Sequence, residues 1–199
     1  MKKYIFGWIF LFVVFFVIGA ELLCAFAGQV ILYYNKETQQ RTEWCWVASA
    51  KNAVKYTFDT TRTQSQAVDH IKGSIINEGG TLDEIRTAAN WLSEGRMNYE
   101  QIGLGTVSGV KTYGYLTDKI DNGRVTVLVG GYYTDGVRNG GHAVTMHGYY
   151  SYGSYASMIW YYDPLPEDNL DHECAYSSFK NGSYNGRLYD GTVYCTQVY

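Results

Sequence analysis

Across 199 residues, 16 Lys and Arg face 19 Asp and Glu for a formal charge of −3, and no basic cluster interrupts this mildly acidic balance. Nucleic acid is thereby excluded as the expected partner. Proline occurs only at Pro164 and Pro166, whereas most of the 20 tyrosines and 22 glycines fall in the second half, a mix that predicts antiparallel strands and turns there.

Lys2 and Lys3 precede an unbroken apolar run from Tyr4 to Ala20, the layout of a secretory signal peptide. Ala25-Phe26-Ala27 satisfies the small-x-small rule for cleavage, so residues 1–27 are expected to leave and Gly28 to begin a secreted, extracellular or periplasmic protein. Two other fates stay open. Leu22 to Ala27 extend the run to membrane-spanning length, which would make residues 4–27 an uncleaved anchor and the one route to membrane association. Cys24 offers a lipidation site, opposed by the bulk of Leu23. Residues 28–199 are expected to form a single domain, long enough to bury a core unaided and to act as a monomer. Loss of Lys2, Lys3 and Glu21 makes that domain one charge unit more acidic than the full chain.

Residues 28–38 contain a short apolar alternation and read as a strand or extended arm. The arm leads to QQRTEWCWVASAKNAVKYTF, residues 39–58, where Cys45 sits between Trp44 and Trp46 and Val47, Ala50, Val54 and Phe58 recur at helical spacing. Thr42 and Glu43 are the expected cap and first-turn residue. A cysteine at a helix N-terminus meets the positive end of the macrodipole and unpaired backbone N–H groups, which favour the nucleophilic thiolate. A second helix is predicted over about 64–75, with Ala67, Val68, Ile71 and Ile75 on one side, followed by a break at Gly79-Gly80. Thr81-Leu-Asp-Glu84 is a capping box that opens a third helix through Trp91 and Leu92. Val107 to Ile120 predict a fourth, stopped by Asp121-Asn122-Gly123.

Strand patterns follow at 124–132, 142–150 and 156–163, separated by turns at TDGVRNGG (134–141) and SYGS (151–154). Over 174–199 two or three shorter strands are expected, among them AYSSF and TVYCTQVY, with Asn181-Gly182 and Asn185-Gly186 as turns. Helices first and an antiparallel sheet after them specify an α+β fold. With the leader removed, Cys45, Cys174 and Cys195 remain, an odd number for an exported protein. Cys174 and Cys195 lie in late strand-like segments and form the candidate disulfide, which leaves Cys45 as the free thiol.

A thiol nucleophile needs a base, a group to orient that base, and donors for the oxyanion. His142 is the candidate base: it follows the turn Asn139-Gly140-Gly141 and begins a strand, with Val144 and Met146 on its face and His147 pointing the other way. Asp163 ends the next strand, directly before Pro164, one hairpin away, where it can hold the imidazole tautomer. Gln39, upstream of Cys45 in the same polar segment, is the candidate amide donor, with Gln40 in reserve. Each residue taken singly also fits a bland role: a packing Cys, a structural His, a turn Asp, a loop Gln. Asp171-His172-Glu173-Cys174 has no second ligand cluster at zinc spacing, and the glycines sit in turns rather than in a phosphate loop, so neither metal nor cofactor is expected.

Taken together, Gln39, Cys45-Trp46 opening a helix with Ala48 and Ser49, Gly141-His142-Ala143 followed by apolar residues to Gly148-Tyr149, and Tyr162-Asp163-Pro164 resemble the papain-like cysteine peptidases. Within them the resemblance is to bacterial members with an aspartate as third residue, such as effector proteases of plant pathogens and leader peptidases of bacteriocin exporters. It spans residues 39–164. It implies that Cys45 is the nucleophile, His142 the general base and acid, Asp163 its orienter, and Gln39 an oxyanion donor together with the Cys45 N–H. It also implies a helical lobe carrying Cys45 against a barrel-like sheet lobe carrying His142 and Asp163. A peptide or protein would be hydrolysed in the cleft between them through a thiolate–imidazolium pair and an acyl-enzyme. Thr42-Glu43-Trp44 stands where papain has glycine and serine, and no glycine pair is read after the nucleophile region to carry over its subsites. With no transporter domain in the chain, a leader peptidase built into an exporter is not expected. Transglutaminase-like or cell-wall amidase chemistry would use the same three residues, and a catalytically inactive secreted binding module is the reading without chemistry.

Overall fold

The structure, a computed structural model, describes residues 28–103, 110–152, 156–168, 170–183 and 186–199. The predicted signal segment with Cys24, the start of the helix predicted from Val107, part of the SYGS turn and Asn185 lie outside these residues.

A short strand β1 (Gln29–Ile31) precedes three helices, α1 (Cys45–Lys55), α2 (Gln64–Lys72) and α3 (Leu82–Leu92). Strand β2 (Met97–Gly103) and helix α4 (Tyr113–Asp121) lead into β3 (Thr126–Thr134), β4 (Val137–Tyr152), β5 (Ala156–Tyr162) and β6 (Asp171–Ala175). Helix α5 (Tyr176–Lys180) and β7 (Leu188–Val198) complete the chain. The strands form one antiparallel seven-stranded sheet, ordered β2-β7-β3-β4-β5-β6, and β1 pairs with the part of β4 that β3 does not reach.

Local chemistry accounts for the helix ends. Thr63 and Thr81 each accept a backbone N–H three residues on, and Gln66 and Glu84 return the bond, so α2 and α3 open with complete capping boxes. Helix α2 stops at Lys72 rather than running to Ile75, because Gly73 turns left-handed at φ 72°; Ile75 is left exposed. Helix α4 starts at Tyr113, with Thr112 accepting the Tyr115 N–H, so residues 110–112 precede it.

Helix α1 is the centre of the packing. Every residue from Trp46 to Val54 is buried, and Ala48, Ser49, Ala50 and Ala53 keep the helix slim enough to lie between α3 and β4. Ser49 Oγ donates to the carbonyl of Ala143 at 2.9 Å, which pins the helix to the strand. Two buried amides hold an extended arm across α1. Asn52 donates to Glu37 O at 2.9 Å and accepts the Glu37 N–H at 2.8 Å; Gln64 donates to Thr38 O at 2.8 Å and accepts the Gln40 N–H at 3.1 Å. Leaving either amide unpaired in the core would cost about 1–3 kcal/mol per group, so these bonds fix the backbone on both sides of Gln39.

Three expectations need correction. The β3–β4 turn is only Asp135-Gly136, at φ 51° and 77°, the two left-handed positions of a type I′ hairpin. Pairing resumes at Val137, so Asn139-Gly140-Gly141 belong to β4, and His142 lies well inside that strand opposite Gly130 rather than at its start. Where AYSSF (175–179) predicts a strand, Tyr176–Lys180 instead form α5, because Phe179 packs against Tyr161 and Tyr189 with ring centroids 5.3 and 5.7 Å away; tertiary packing outweighs aromatic strand propensity.

The third concerns the candidate disulfide. Cys45, Cys174 and Cys195 are all free. Cys174 lies on β6 and Cys195 on β7, with β5, β4 and β3 between them. At about 4.8 Å per strand, that separation is roughly 19 Å, well beyond the Cα reach of about 7 Å that a disulfide allows. Burial pushes both thiols up, Cys174 to about 12.

Candidate active site

Cys45 opens α1 with Trp44 as its N-cap, and no side chain caps the helix. The expected cap Thr42 and its neighbour Glu43 lie instead in the preceding turn, held by Asn77: Nδ2 donates to Thr42 Oγ1 at 2.8 Å, and Oδ1 accepts the Glu43 N–H at 3.1 Å. Helices α2, α3 and α4 each carry a threonine cap, whereas the N-terminal donors of α1 stay available to another acceptor.

The two tryptophans beside Cys45 reach the loop after α2. Trp44 Nε1 donates to Ile76 O at 2.7 Å and Trp46 Nε1 to Glu78 O at 3.0 Å. This lacing brings Gly79 and Gly80 alongside Cys45 as one wall of a cleft of about 420 Å³, whose other wall runs through Val129, Tyr132, Arg138 and Gly140 to Ala143. A glycine pair does therefore stand beside Cys45, although in the sequence Gly79-Gly80 reads only as a break between helices.

His142 enters the cleft from β4. Its Nε2–H donates to Asp163 Oδ1 at 2.7 Å, which leaves Nδ1 as the ring nitrogen available to the Cys45 thiol. The pairing follows from register: Thr145 stands opposite Tyr162, so Asp163, one residue past β5, comes level with the stretch of β4 that leads back to His142. Asp163 Oδ1 also accepts the Leu165 N–H at 3.1 Å, while Oδ2 lies 3.6 Å from Arg187 Nη1; Arg187 Nε donates to Tyr132 Oη. Burial works to lower the His142 pKa, but the hydrogen bonds and charges of Asp163 and Cys45 outweigh it and raise the value to about 9. Burial works to raise the Asp163 pKa, and here the His142 bond and charge, the Leu165 N–H and Arg187 override it and hold the carboxyl below its usual range. Imidazolium beside carboxylate is the form these forces favour near neutrality.

Gln39 is buried next to this pair. Its backbone N–H donates to Pro164 O at 2.7 Å, so the arm and the Asp163 turn run together. Its Nε2 donates to Arg41 O at 3.0 Å and Thr42 O at 2.7 Å, in the turn leading into α1, and Oε1 is buried with no partner among the described residues. Gln40 is exposed and accepts from Ser65 Oγ. His147 does not line the cleft: it is fully buried at a bulge in β4, its Nε2 lies 3.0 Å from Asp171 Oδ1, and burial with nearby Lys36 pushes its pKa down to about 4 despite Asp171. His172 pairs with Asp168 at 2.6 Å and stacks on Tyr161.

The sequence profile of the Peptidase_C39 like family matches residues 29–190. The chain belongs to this family. As a C39-like protein it is a cysteine peptidase, and its helices followed by an antiparallel sheet form the papain-like α+β fold. No curated protein matches the sequence. Among solved structures it is similar to a protein assigned as a C39-like peptidase from Bacillus anthracis, at 15% identity and TM-score 0.61, over 86% of this chain and 100% of that one. It is also similar to the double glycine motif protease of an AMS/PCAT transporter in complex with the leader peptide, at 11% identity and TM-score 0.50, over 84% of this chain and 95% of that one. At these identities the likenesses speak for the fold alone.

Several residues of this C39-like site carry no local signal in the sequence. Asn77 acts on Thr42 and Glu43 from a separate loop, and Arg187 reaches Asp163 from the approach to β7. Ser49 could have been found: it lies one turn beyond Cys45, where a helix face that presents Cys45 to a cleft must also meet the opposing strand.

Proposed function

We propose that the cleft hydrolyses peptide bonds of a peptide or protein, with Cys45 as nucleophile, His142 as general base and acid, Asp163 as the group that orients His142, and Gln39 with the Cys45 N–H as oxyanion donors. The observation that carries this reading is that a single cleft holds a cysteine at a helix start without a side-chain cap and an imidazole whose far nitrogen is bonded to a buried carboxylate. An imidazolium at hydrogen-bonding distance stabilises the thiolate. The sulfur attacks the scissile carbonyl carbon, and the electron pair displaced onto oxygen is received by N–H donors at the head of α1. His142 gives its proton to the leaving amine as the C–N bond breaks, which leaves a thioester. Water, deprotonated by His142, then attacks the thioester and the thiolate departs. Asp163 stays ionised throughout, keeping the Nε2 proton and the ring orientation in place. Gln39 spans the carbonyls of Arg41 and Thr42, and exchanging one of them for the oxyanion is the motion its role requires.

The mature enzyme in this reading is residues 28–199, exported and monomeric, with membrane attachment only where residues 1–27 are retained; the lysine-flanked apolar run supports export. A peptide carrying a thiol-directed electrophile, followed by mass spectrometry, tests the site. Modification of Cys45 alone, slowed in His142→Ala, is the expected result. Modification confined to Cys174 or Cys195, or none at all, overturns the assignment. The intact mass of protein recovered from its producing cell reads whether it begins at Gly28.

A further inference from the structure

The cleft holds a second charged device that the proposed chemistry leaves unused. Gly131 on β3 stands opposite Gly141 on β4. A Cβ on Gly131 would lie 2.3 Å from Asp190 Oδ2 and 3.0 Å from Arg138 Nε, and a Cβ on Gly141 would lie 2.3 Å from Arg138 Nη2. The facing glycines thus form a recess into which Asp190 and Arg138 fold. Asp190 is 5% exposed, and its Oδ2 accepts Arg138 Nε and Tyr133 Oη, each at 2.8 Å. Arg138 is consequently gripped by one edge of its guanidinium and lies across Gly141, the residue before His142. Tyr133 Oη also interacts with the guanidinium, but no hydrogen bond runs from the Arg138 Nη atoms to a carboxylate or carbonyl of a described residue, and the side chain lines the same cleft as Cys45 and His142. Apart from the His142 imidazolium, the other charged lining residue among those described is Glu43, on the helical wall.

Stability alone does not account for this construction. Glycine inside a strand weakens it, and an ion pair built on a buried carboxylate such as Asp190 is seldom a net gain over apolar packing. A guanidinium held through Nε, with no carboxylate or carbonyl of a described residue bonded at its Nη1/Nη2 edge, is instead preorganised for bidentate contact with a carboxylate. Glu43 repels the same group and directs it to the sheet wall. Resting on the peptidase reading above, we propose that Arg138 determines specificity, and that the substrate carries a carboxylate, from an acidic side chain or a free C-terminus, which docks on its Nη edge.

The test is a set of peptides with Glu or Gln at each position in turn, each made with a free and an amidated C-terminus, and kcat/KM read for each by mass spectrometry. One position at which Glu exceeds Gln by about tenfold or more in both series identifies a side-chain carboxylate. A similar preference for free over amidated peptides identifies the terminus. In Arg138→Gln either ratio should collapse to about one. Because that variant leaves Asp190 buried without its partner, Arg138→Gln with Asp190→Asn is measured as well, and the same collapse is expected. Cleavage with ratios near one in the wild type, or ratios that survive in both variants, overturns the role of Arg138 while leaving the peptidase reading intact. Absence of cleavage across the whole set overturns that reading and this inference with it.

Discussion

The ring of Trp46 fills the space into which a side chain at Gly80 would project: a Cβ there would lie 2.3 Å from Trp46 Cδ2. Trp46 has nowhere to retreat, since it is buried and its indole N–H is bonded to Glu78 O. Gly80→Ala is therefore expected to cost about 1–3 kcal/mol and to displace the cleft wall beside Cys45. Gly79→Ala, with nothing within 4 Å of its Cβ, should stay within about 0.5 kcal/mol of wild type. Thermal unfolding and kcat/KM for the two variants provide the comparison, and indistinguishable behaviour would refute the contact.

Asp163 and Cys45 lift His142 to about 9 against the pull of burial. The imidazolium is lost as pH rises through that value, so wild-type kcat/KM should fall on the alkaline side near pH 9. Asp163→Asn removes one of the two lifting partners, so this limb should move toward the ordinary histidine value of about 6.5. The rate should drop by up to about 10⁴-fold, less than in Cys45→Ala. An alkaline limb that stays in place would show that Asp163 does not hold the ring.

Ser49→Ala deletes the 2.9 Å bond from α1 to Ala143 O. Loss of one buried neutral hydrogen bond is expected to cost about 1 kcal/mol, readable as a lower denaturant midpoint with an unchanged slope. Since Ala143 follows His142 and Ser49 follows Cys45 by one helical turn, kcat should suffer more than KM. A variant equally destabilised but fully active would sink the alignment role.

His142 and His147 share β4 and titrate in opposite senses. His147 has its folded pKa lowered to about 4, so its contribution is present above its unfolded value and is lost as pH falls from about 6.5 toward 4. The loss amounts to up to about 3 kcal/mol for such a fully buried ring. His142, raised to about 9, contributes fully below its unfolded value and loses that contribution as pH rises from about 6.5 toward 9. Unfolding free energy measured against pH should therefore decline on both sides of about 6.5. His147→Gln should flatten the acid side only, and an unchanged acid slope would rule out His147 as its source. Asp163, lowered from an already acidic value, acts below this window.

What was legible in the sequence was whatever carries its own local signal. The capping box at Thr81 and Glu84 and the spacing of Val47, Ala50 and Val54 predict helices that form as expected. His142 and Asp163 were legible as neighbours because β4 and β5 pair antiparallel, although His142 meets Asp163 from inside β4 rather than from its end. Asp135-Gly136 was masked by Asn139-Gly140-Gly141, which looks like the stronger turn; Gly141 serves close approach of Arg138 instead of bending the chain. The cysteine count could not see strand order, and so it paired two thiols that the sheet holds apart.

The bond between Ser49 and Ala143 has a practical corollary for engineering. The alignment of thiol and imidazole is anchored inside the core, between a helix and a strand, whereas the cleft walls come from the loop through Gly79-Gly80 and the Asp135-Gly136 hairpin arm. Grafting new sequences onto those two walls is the route to retargeting this enzyme without retuning its chemistry.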